Sequence, residues 1–296
     1  MLSYNEVYFV VEHFGYLAKA LARKGSDKVH IAVLAKQVPD SDEVKMDEEK
    51  GTMVRSGVGA IINPLDLHAI ECALDLRKKH GGKVRVFSMG PPQAEEALRE
   101  AVALGVDEVF LLTDPCFAAA DTWATAKTLA AALSKAGPHD LILAGEKATD
   151  GETGQVGPEV AVMLGLPFST YVSRLAIEKD FAVVHRTVED GVEIQRLPLP
   201  CLLTVLRDLN EPSMPTLSGK KKARRFNVVK WSHEEIGLSP LEVGLSGSPT
   251  RVVKIFYPKV TREGAFYKGK DLDKGIEHLL EELHSRGLLD GGKGNA

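Results

Sequence analysis

Short apolar runs alternate along this chain with stretches of helical periodicity. Val29–Ala35 (VHIAVLA), Val84–Ser88, Val109–Leu112 and Leu141–Ala144 are too short for helices and apolar enough for buried strands. Helical patterns at about 65–79, 93–104 and 122–135 fall between them. Asn63 is placed to cap the first, with Pro64 at its first position, and Asp121 to cap the third. This rhythm predicts an α/β fold with a doubly wound, mostly parallel sheet. After Pro167 the rhythm changes. Thr170–Leu175, Ala182–Thr187, Val192–Leu197 and Leu202–Val205 follow without helices between them, and Asp190-Gly191 is a strong hairpin turn. They read as an antiparallel extension of the same sheet.

The remaining pattern divides the chain. Residues 3–24 carry Val7, Val10, Val11, Phe14, Leu17, Ala18 and Leu21 on one side of a helix. Glu6 and Glu12 make that segment a poor signal or transit peptide, so 1–25 reads as an added helix docked on the surface or on a partner. Residues 26–206 form the α/β domain, with a small hairpin expected within 41–60. Beyond 207 two prolines, Pro212 and Pro215, interrupt a stretch of little periodicity. A basic run, Lys220-Lys221-Lys222-Ala223-Arg224-Arg225, follows and reads as a solvated face. A closing helix is expected at 271–287 and a frayed end at 291–296. Residues 207–296 thus read as a loop and arm that pack on another chain.

The loop after the fourth strand concentrates the candidate chemistry. Gly145 ends the apolar run, and Gly151, Gly154 and Gly157 follow before a helix marked by Val160, Met163 and Leu164. A strand, a glycine-rich loop and a helix start together present unpaired backbone N–H groups to an anion. Thr149, Thr153 and Gln155 add neutral donors. No Gly-Lys-Ser/Thr follows, and the spacing is not that of the dinucleotide fingerprint. A plain strand-to-helix turn remains the simpler reading of the loop taken alone. Asp150 and Glu152 would repel phosphate, so they must face away or bind ribose hydroxyls. The other loops at strand carboxyl ends, 36–40, 89–92 and 116–122, gather along the same sheet edge, and that convergence favours a nucleotide site.

Composition narrows the classes. The chain has 296 residues, 44% hydrophobic and 26% charged, with a net charge of −4. That is ordinary for a soluble protein and does not suit a nucleic-acid binder. Three scattered cysteines, Cys72, Cys116 and Cys201, read as reduced and non-catalytic, in a cytoplasmic setting. No apolar run approaches a membrane span. No metal spacing, Ser/His/Asp order or paired carboxylates appear. His68 and His185 read as structural. A nucleotide site without acid–base machinery suits a cofactor that does the chemistry while the protein holds it.

Four pieces carry a likeness to a known family: Ala35-Lys36-Gln37-Val38-Pro39-Asp40; Asn63-Pro64-Leu65-Asp66; Asp150 through Glu159 (DGETGQVGPE); and Val184-His185-Arg186 through Glu189-Asp190-Gly191, Glu193, Pro200 and Leu202-Leu203-Thr204. From about Val29 onward the chain resembles the β subunit of electron-transfer flavoproteins. It departs at Gln195, where the family prefers an aliphatic residue. The resemblance implies a heterodimer with an α subunit that holds an FAD. It places an adenine nucleotide of the β subunit against Leu34, Ala35, Asn63, Pro64, Leu65, Asp66, Met89 and the loop Asp150, Gly151, Glu152, Thr153, Gly154, Gln155, Val156 and Gly157, continuing to Ala161. That nucleotide is AMP in ordinary members and a second FAD in electron-bifurcating members. The loop sequence, Val38-Pro39-Asp40, Met89-Gly90-Pro91-Pro92, Ala120-Asp121-Thr122 and Gly247-Ser248-Pro249-Thr250 resemble the bifurcating branch. FAD is therefore expected. Val38, Pro39, Asp40, Met89, Gly90, Asp121, Thr122 and Thr125 are candidates for the flavin end. NADH would be the transient donor. Ferredoxin or flavodoxin, and an acyl-CoA dehydrogenase or quinone reductase, would be the acceptors. Glu193 matches a carboxylate toward the α-subunit flavin, and Leu217 matches a residue that plugs into partner dehydrogenases. An ordinary carrier with AMP and a nucleotide-binding regulatory module are the alternatives.

Overall fold

The computed structural model describes residues 28–40, 46–47, 52–53, 59–253 and 264–289. The helix expected at 3–24 and the frayed end expected at 291–296 lie outside them. The described residues up to 253 belong to one compact unit, and those from 264 to another.

The first unit is a nine-stranded sheet. Its strands are β1 (Ile31–Leu34), β6 (Val84–Met89), β7 (Glu108–Leu112), β8 (Leu141–Gly145), β9 (Phe168–Glu178), β10 (Phe181–Val188), β11 (Gly191–Pro198), β12 (Cys201–Val205) and β13 (Val229–Trp231). Two small antiparallel pairs complete the set: β2 (Gln37–Pro39) with β5 (Ala60–Ile62), and β3 (Met46–Asp47) with β4 (Thr52–Met53). The main order is β11-β10-β9-β12-β8-β1-β6-β7-β13. All pairs from β9 through β12 to β13 are parallel, whereas β10 pairs antiparallel with both β9 and β11. The extension is therefore antiparallel only at its two outer strands.

The central strands read as unbroken apolar runs because both faces are covered. Ile31 and Val33 of β1 point to one core, together with α1 (Pro64–His80) and α2 (Glu95–Leu104) through Ala69, Ile70, Leu98 and Ala101. Ala32 and Leu34 point to the other core, together with α3 (Thr122–Ala136) and α4 (Val156–Leu164) through Leu129, Leu133, Val160 and Leu164.

The stretch from 207 is partly woven into this unit. A 3₁₀ turn, Arg207–Leu209, leads through irregular chain to α5 (Leu217–Arg224), and β13 extends the sheet beyond β7. Ala223, Val228, Ile236 and Val243 are buried in the two cores. The basic run, expected as a solvated face, lies on a helix capped by Thr216, whose hydroxyl accepts from the Gly219 N–H at 3.0 Å. Its lysines and arginines are exposed. The second unit contains α6 (Leu272–Ser285), the closing helix. Among the described residues no helix is long and apolar enough to cross a membrane.

Candidate functional site

From β1 the chain winds to β6 and β7, then crosses to β8 on the other side of β1. The order reverses between β1 and β8, and open α/β sheets leave a crevice at the carboxyl ends of such strands. Asp66 closes the base of that crevice. Its carboxylate accepts the N–H of Lys36, just past β1, at 2.8 Å and the N–H of Gly145, the last residue of β8, at 3.0 Å. One side chain thus fixes the spacing of the two strand ends. Burial lifts the Asp66 carboxyl from 3.8 to about 7, although both N–H groups, the Asn63 side chain and the Lys36 charge oppose the rise.

Asn63 binds the glycine loop to this base. It occupies the capping position of α1, but its side chain makes no capping bond. Instead its amide donates to the Lys147 carbonyl at 2.9 Å, and its oxygen accepts the Thr149 N–H at 3.2 Å. The cap expected from the sequence is replaced by a clamp on the loop, since one amide cannot serve both.

The two acids of the loop are paired with lysines. Asp150 sits 2.7 Å from Lys36 Nζ and Glu152 3.4 Å from Lys147 Nζ. Their charge against an anion is therefore offset within the loop, an arrangement the sequence did not anticipate. The glycines differ in why they are there. A Cβ on Gly145 would lie 2.6 Å from Asp66 Oδ1, and one on Gly157 would lie 2.6 Å from the Thr204 methyl. Gly154 holds φ at +63°, whereas Gly151 faces open space with no steric demand for glycine. Gln155, at the start of α4, makes no side-chain capping bond. The dipole end of α4 is therefore not closed by its own cap.

A second corner lies beside the first. Thr122 Oγ1 donates to Glu159 Oε1 at 3.1 Å and so joins the starts of α3 and α4. Glu159 Oε2 is buried without a protein partner. Burial, then the nearby Asp121 charge, raise the Glu159 carboxyl above its usual range against the Thr122 hydrogen bond. Thr125 follows one turn into α3. Leu34 is buried at the end of β1 with Ala35 beside it, and Ala35 donates to the Phe87 carbonyl at 2.9 Å. Gly90 donates to the Leu112 carbonyl at 3.0 Å, so Met89 and Gly90 lie where β6 and β7 end. Val38, Pro39 and Asp40 lie on the ribbon with β5, which leads into Asn63, Pro64 and Leu65.

Hydrogen bonds thus join Asn63, Asp66, Gly145 and the loop in one corner, and Thr122 and Glu159, next to Asp121, in the other. Glu193 and Leu217 stand apart. Glu193, on the outermost strand, accepts from Arg186 at 3.2 Å and from Gln195 at 3.0 Å. Gln195 also accepts from Ser169 at 2.8 Å, so both ends of the amide at this polar departure from the family pattern have a partner. Leu217 opens α5 and is 88% exposed.

Sequence reasoning passed over Gly145, which it took as the end of a run. It also passed over a cluster of Asp114, Cys116 and His233, whose ligand atoms all lie within 4.8 Å of one another. His233 lies more than a hundred residues from the other two, so no spacing announces the group. His233 Nδ1 is 2.7 Å from Asp114 Oδ2, and the Cys116 N–H donates to Asp114 Oδ1 at 3.0 Å. Burial pushes the Asp114 carboxyl up, but the donors from Cys116 and His233 outweigh it and hold it well below the usual range. Burial and the Asp114 carboxylate push the Cys116 thiol up to about 11, so it stays protonated. The three groups satisfy one another.

The model of the electron transfer flavoprotein domain matches residues 50–235. The chain is 45% identical over 262 residues to the caffeyl-CoA reductase-Etf complex subunit CarD of Acetobacterium woodii, covering 88% of this chain and 100% of that one. It is also 45% identical, with the same coverage, to the electron transfer flavoprotein subunit beta of Thermoanaerobacterium thermosaccharolyticum. Protein FixA of Azorhizobium caulinodans is 43% identical over 267 residues, 87% of this chain and 95% of the relative.

Proposed function

The chain belongs to the electron transfer flavoprotein family as a β subunit, and from that premise we propose that it serves an electron-bifurcating pair whose β-site nucleotide is FAD. In this reading NADH supplies the electrons. One passes to ferredoxin or flavodoxin, and the other passes through the α-subunit FAD to an acyl-CoA dehydrogenase or quinone reductase. The supporting observation is a meeting of motifs. The glycine loop with Glu159, the Asp121-Thr122 pair and Gly247–Thr250 are separate in sequence and are three of the segments that resemble the bifurcating branch. In the fold they are hydrogen-bonded to one another at one sheet edge. The similarity to a subunit of a caffeyl-CoA reductase–Etf complex, over that subunit's whole length, agrees with an acyl-CoA-directed acceptor.

The residues present fit such a nucleotide. The open start of α4 and the donors Thr149, Thr153 and Gln155 suit phosphates, and the lysine-paired acids remove the repulsion that Asp150 and Glu152 would otherwise exert. Thr122 and Glu159 supply polar groups beyond the phosphates. When bound, the flavin supplies the exchange between two-electron and one-electron transfer. The protein orients it and, through the buried base at Asp66, holds the crevice walls at fixed spacing. Acid extraction of the copurified α–β pair tests the reading. Two FAD per pair, no AMP, and loss of flavin absorbance on adding NADH are expected. One FAD and one AMP per pair would show an ordinary carrier instead.

A further inference from the structure

We propose that Asp121 is not a ligand of the bound nucleotide but a latch, through which Ser248 and Thr250 act as positioning residues for the Thr122 corner of the site. The inference rests on the reading that this crevice holds an adenine nucleotide, whether FAD or AMP.

Every polar group of Asp121 is already committed within the chain. Oδ1 accepts the Ala124 N–H at 3.0 Å and caps α3. Oδ2 accepts both the N–H and the hydroxyl of Thr250, at 2.9 and 2.8 Å. The Asp121 N–H donates to Ser248 Oγ at 2.8 Å, and that hydroxyl donates to the Gly244 carbonyl at 2.7 Å. The Asp121 carbonyl accepts the Thr125 N–H at 3.0 Å. A nucleotide hydroxyl reaching this carboxylate would have to displace two donors held on one oxygen.

The partner segment is itself held firmly. Leu245 donates to the Ala118 carbonyl at 3.0 Å. Gly244 holds φ at +56° with its Cα against the Cys116 carbonyl, where a Cβ would overlap it. Gly247 is folded onto Glu242 with no room for a Cβ. Glu242 is paired with Lys127 of α3 at 2.9 Å. The loop being held has reason to need it. Ala119 stands at φ +57°, a left-handed conformation that strains an L-residue. On the far side of the latch, Thr122 is bonded to Glu159 in the first turn after the glycine loop. Thr250, Asp121, Thr122 and Glu159 therefore form one line of contacts, from residues near the end of the first unit to the start of α4.

The test uses the copurified α–β pair, stripped of nucleotide and titrated with FAD, or with AMP if extraction yields AMP. Thr250→Val keeps the shape and the backbone N–H but removes the hydroxyl. One hydrogen bond to a charged acceptor is about tenfold in an equilibrium, so nucleotide affinity is expected to fall about tenfold or less. Thr250→Ser restores the hydroxyl and is expected to bind like wild type. Ser248→Ala combined with Thr250→Val is expected to lose more than either alone. Thermal unfolding of the pair separates a general loss of fold from a local loosening, and the Thr250→Ser rescue is what a general packing role would not give. Wild-type affinity in Thr250→Val, or equal weakening in Thr250→Ser and Thr250→Val, overturns the latch while the nucleotide reading stands. A wild-type pair that neither carries nor binds nucleotide overturns both.

Discussion

At the scale of single residues, the candidate site is built by groups that bind the protein to itself. Asp66 is the clearest case, and its charge has a consequence for pH. Its carboxyl is raised in the folded chain, by burial above all, to about 7, whereas an unfolded aspartate titrates near 3.9. Between those values the folded state holds a proton that the unfolded state has released. The stability Asp66 contributes is therefore full below about pH 4 and is lost as pH rises through about 7. Asp66→Asn removes that slope, and it sets an amide N–H against one of two backbone donors, at a cost of about 1–3 kcal/mol. Urea unfolding of the copurified pair at pH 5 and pH 8 should show wild type losing more stability over that interval than the variant. Parallel losses would mean that the carboxyl does not titrate there. The glycines give a second contrast. Gly145→Ala forces a Cβ into Asp66 and Leu65 and should cost about 1–3 kcal/mol. Gly151→Ala meets nothing, so its stability should stay within about 0.5 kcal/mol of wild type. If nucleotide nonetheless binds the Gly151→Ala pair more weakly, the loop touches the ligand there. Unchanged affinity would remove Gly151 from the site.

At the scale of elements, legibility followed burial. The parallel strands were readable because both faces are covered and the runs are unbroken, as in Leu141–Ala144. The gathering of the strand-end loops was readable for the same reason, since a doubly wound sheet collects them on one edge. The Asp66 link to Gly145 was not, because it joins residues 79 apart through one carboxylate. Nor was the structure after 207. There the buried residues Ala223, Val228, Ile236 and Val243 occur singly, without period, and β13 is only three residues long. The same stretch explains how Leu217 is presented. Gly219 brings α5 so close to α2 that a Cβ would overlap the Ala103 carbonyl. Arg99 of α2 donates to the carbonyls of Ala223 and Phe226 at 2.6 and 3.2 Å. An exposed leucine on so firm a mount is suited to docking, with little ordering cost. Leu217→Ala is expected to slow electron delivery to the acceptor dehydrogenase several-fold while leaving the NADH-dependent bleaching of bound flavin unchanged. Stopped-flow measurement of the two half-reactions decides it, and an equal loss in both would end the docking role.

At the scale of the whole molecule, the question is what the chain leaves uncovered. In the second unit, Leu272, Ile276, Leu279 and Leu280 of α6 repeat at helical spacing, and all are about half exposed. Leu288 and Leu289 follow, also exposed. In the first unit, Val192 and Ile194 lie exposed on the outermost strand, and Tyr171 on β9 is nearly half exposed. Burying a fully exposed aliphatic side chain gains about 1.5–3 kcal/mol, and these half-exposed ones gain roughly half of that each, so a face of four is still a reason to associate. An electron transfer flavoprotein β subunit implies an α partner, and the prediction is that the apolar stripe of α6 docks on it. Expressed alone, the chain is therefore expected to aggregate or to elute as a broad mixture without nucleotide. Coexpressed with its α subunit, it should elute as one peak. Replacing Ile276 and Leu280 with glutamate breaks the stripe. That variant should be more soluble alone than wild type and should fail to copurify with the α subunit, with its far-UV circular dichroism preserved. Size-exclusion chromatography of the wild-type chain on its own, giving a monodisperse, nucleotide-loaded monomer, would show that α6 needs no partner.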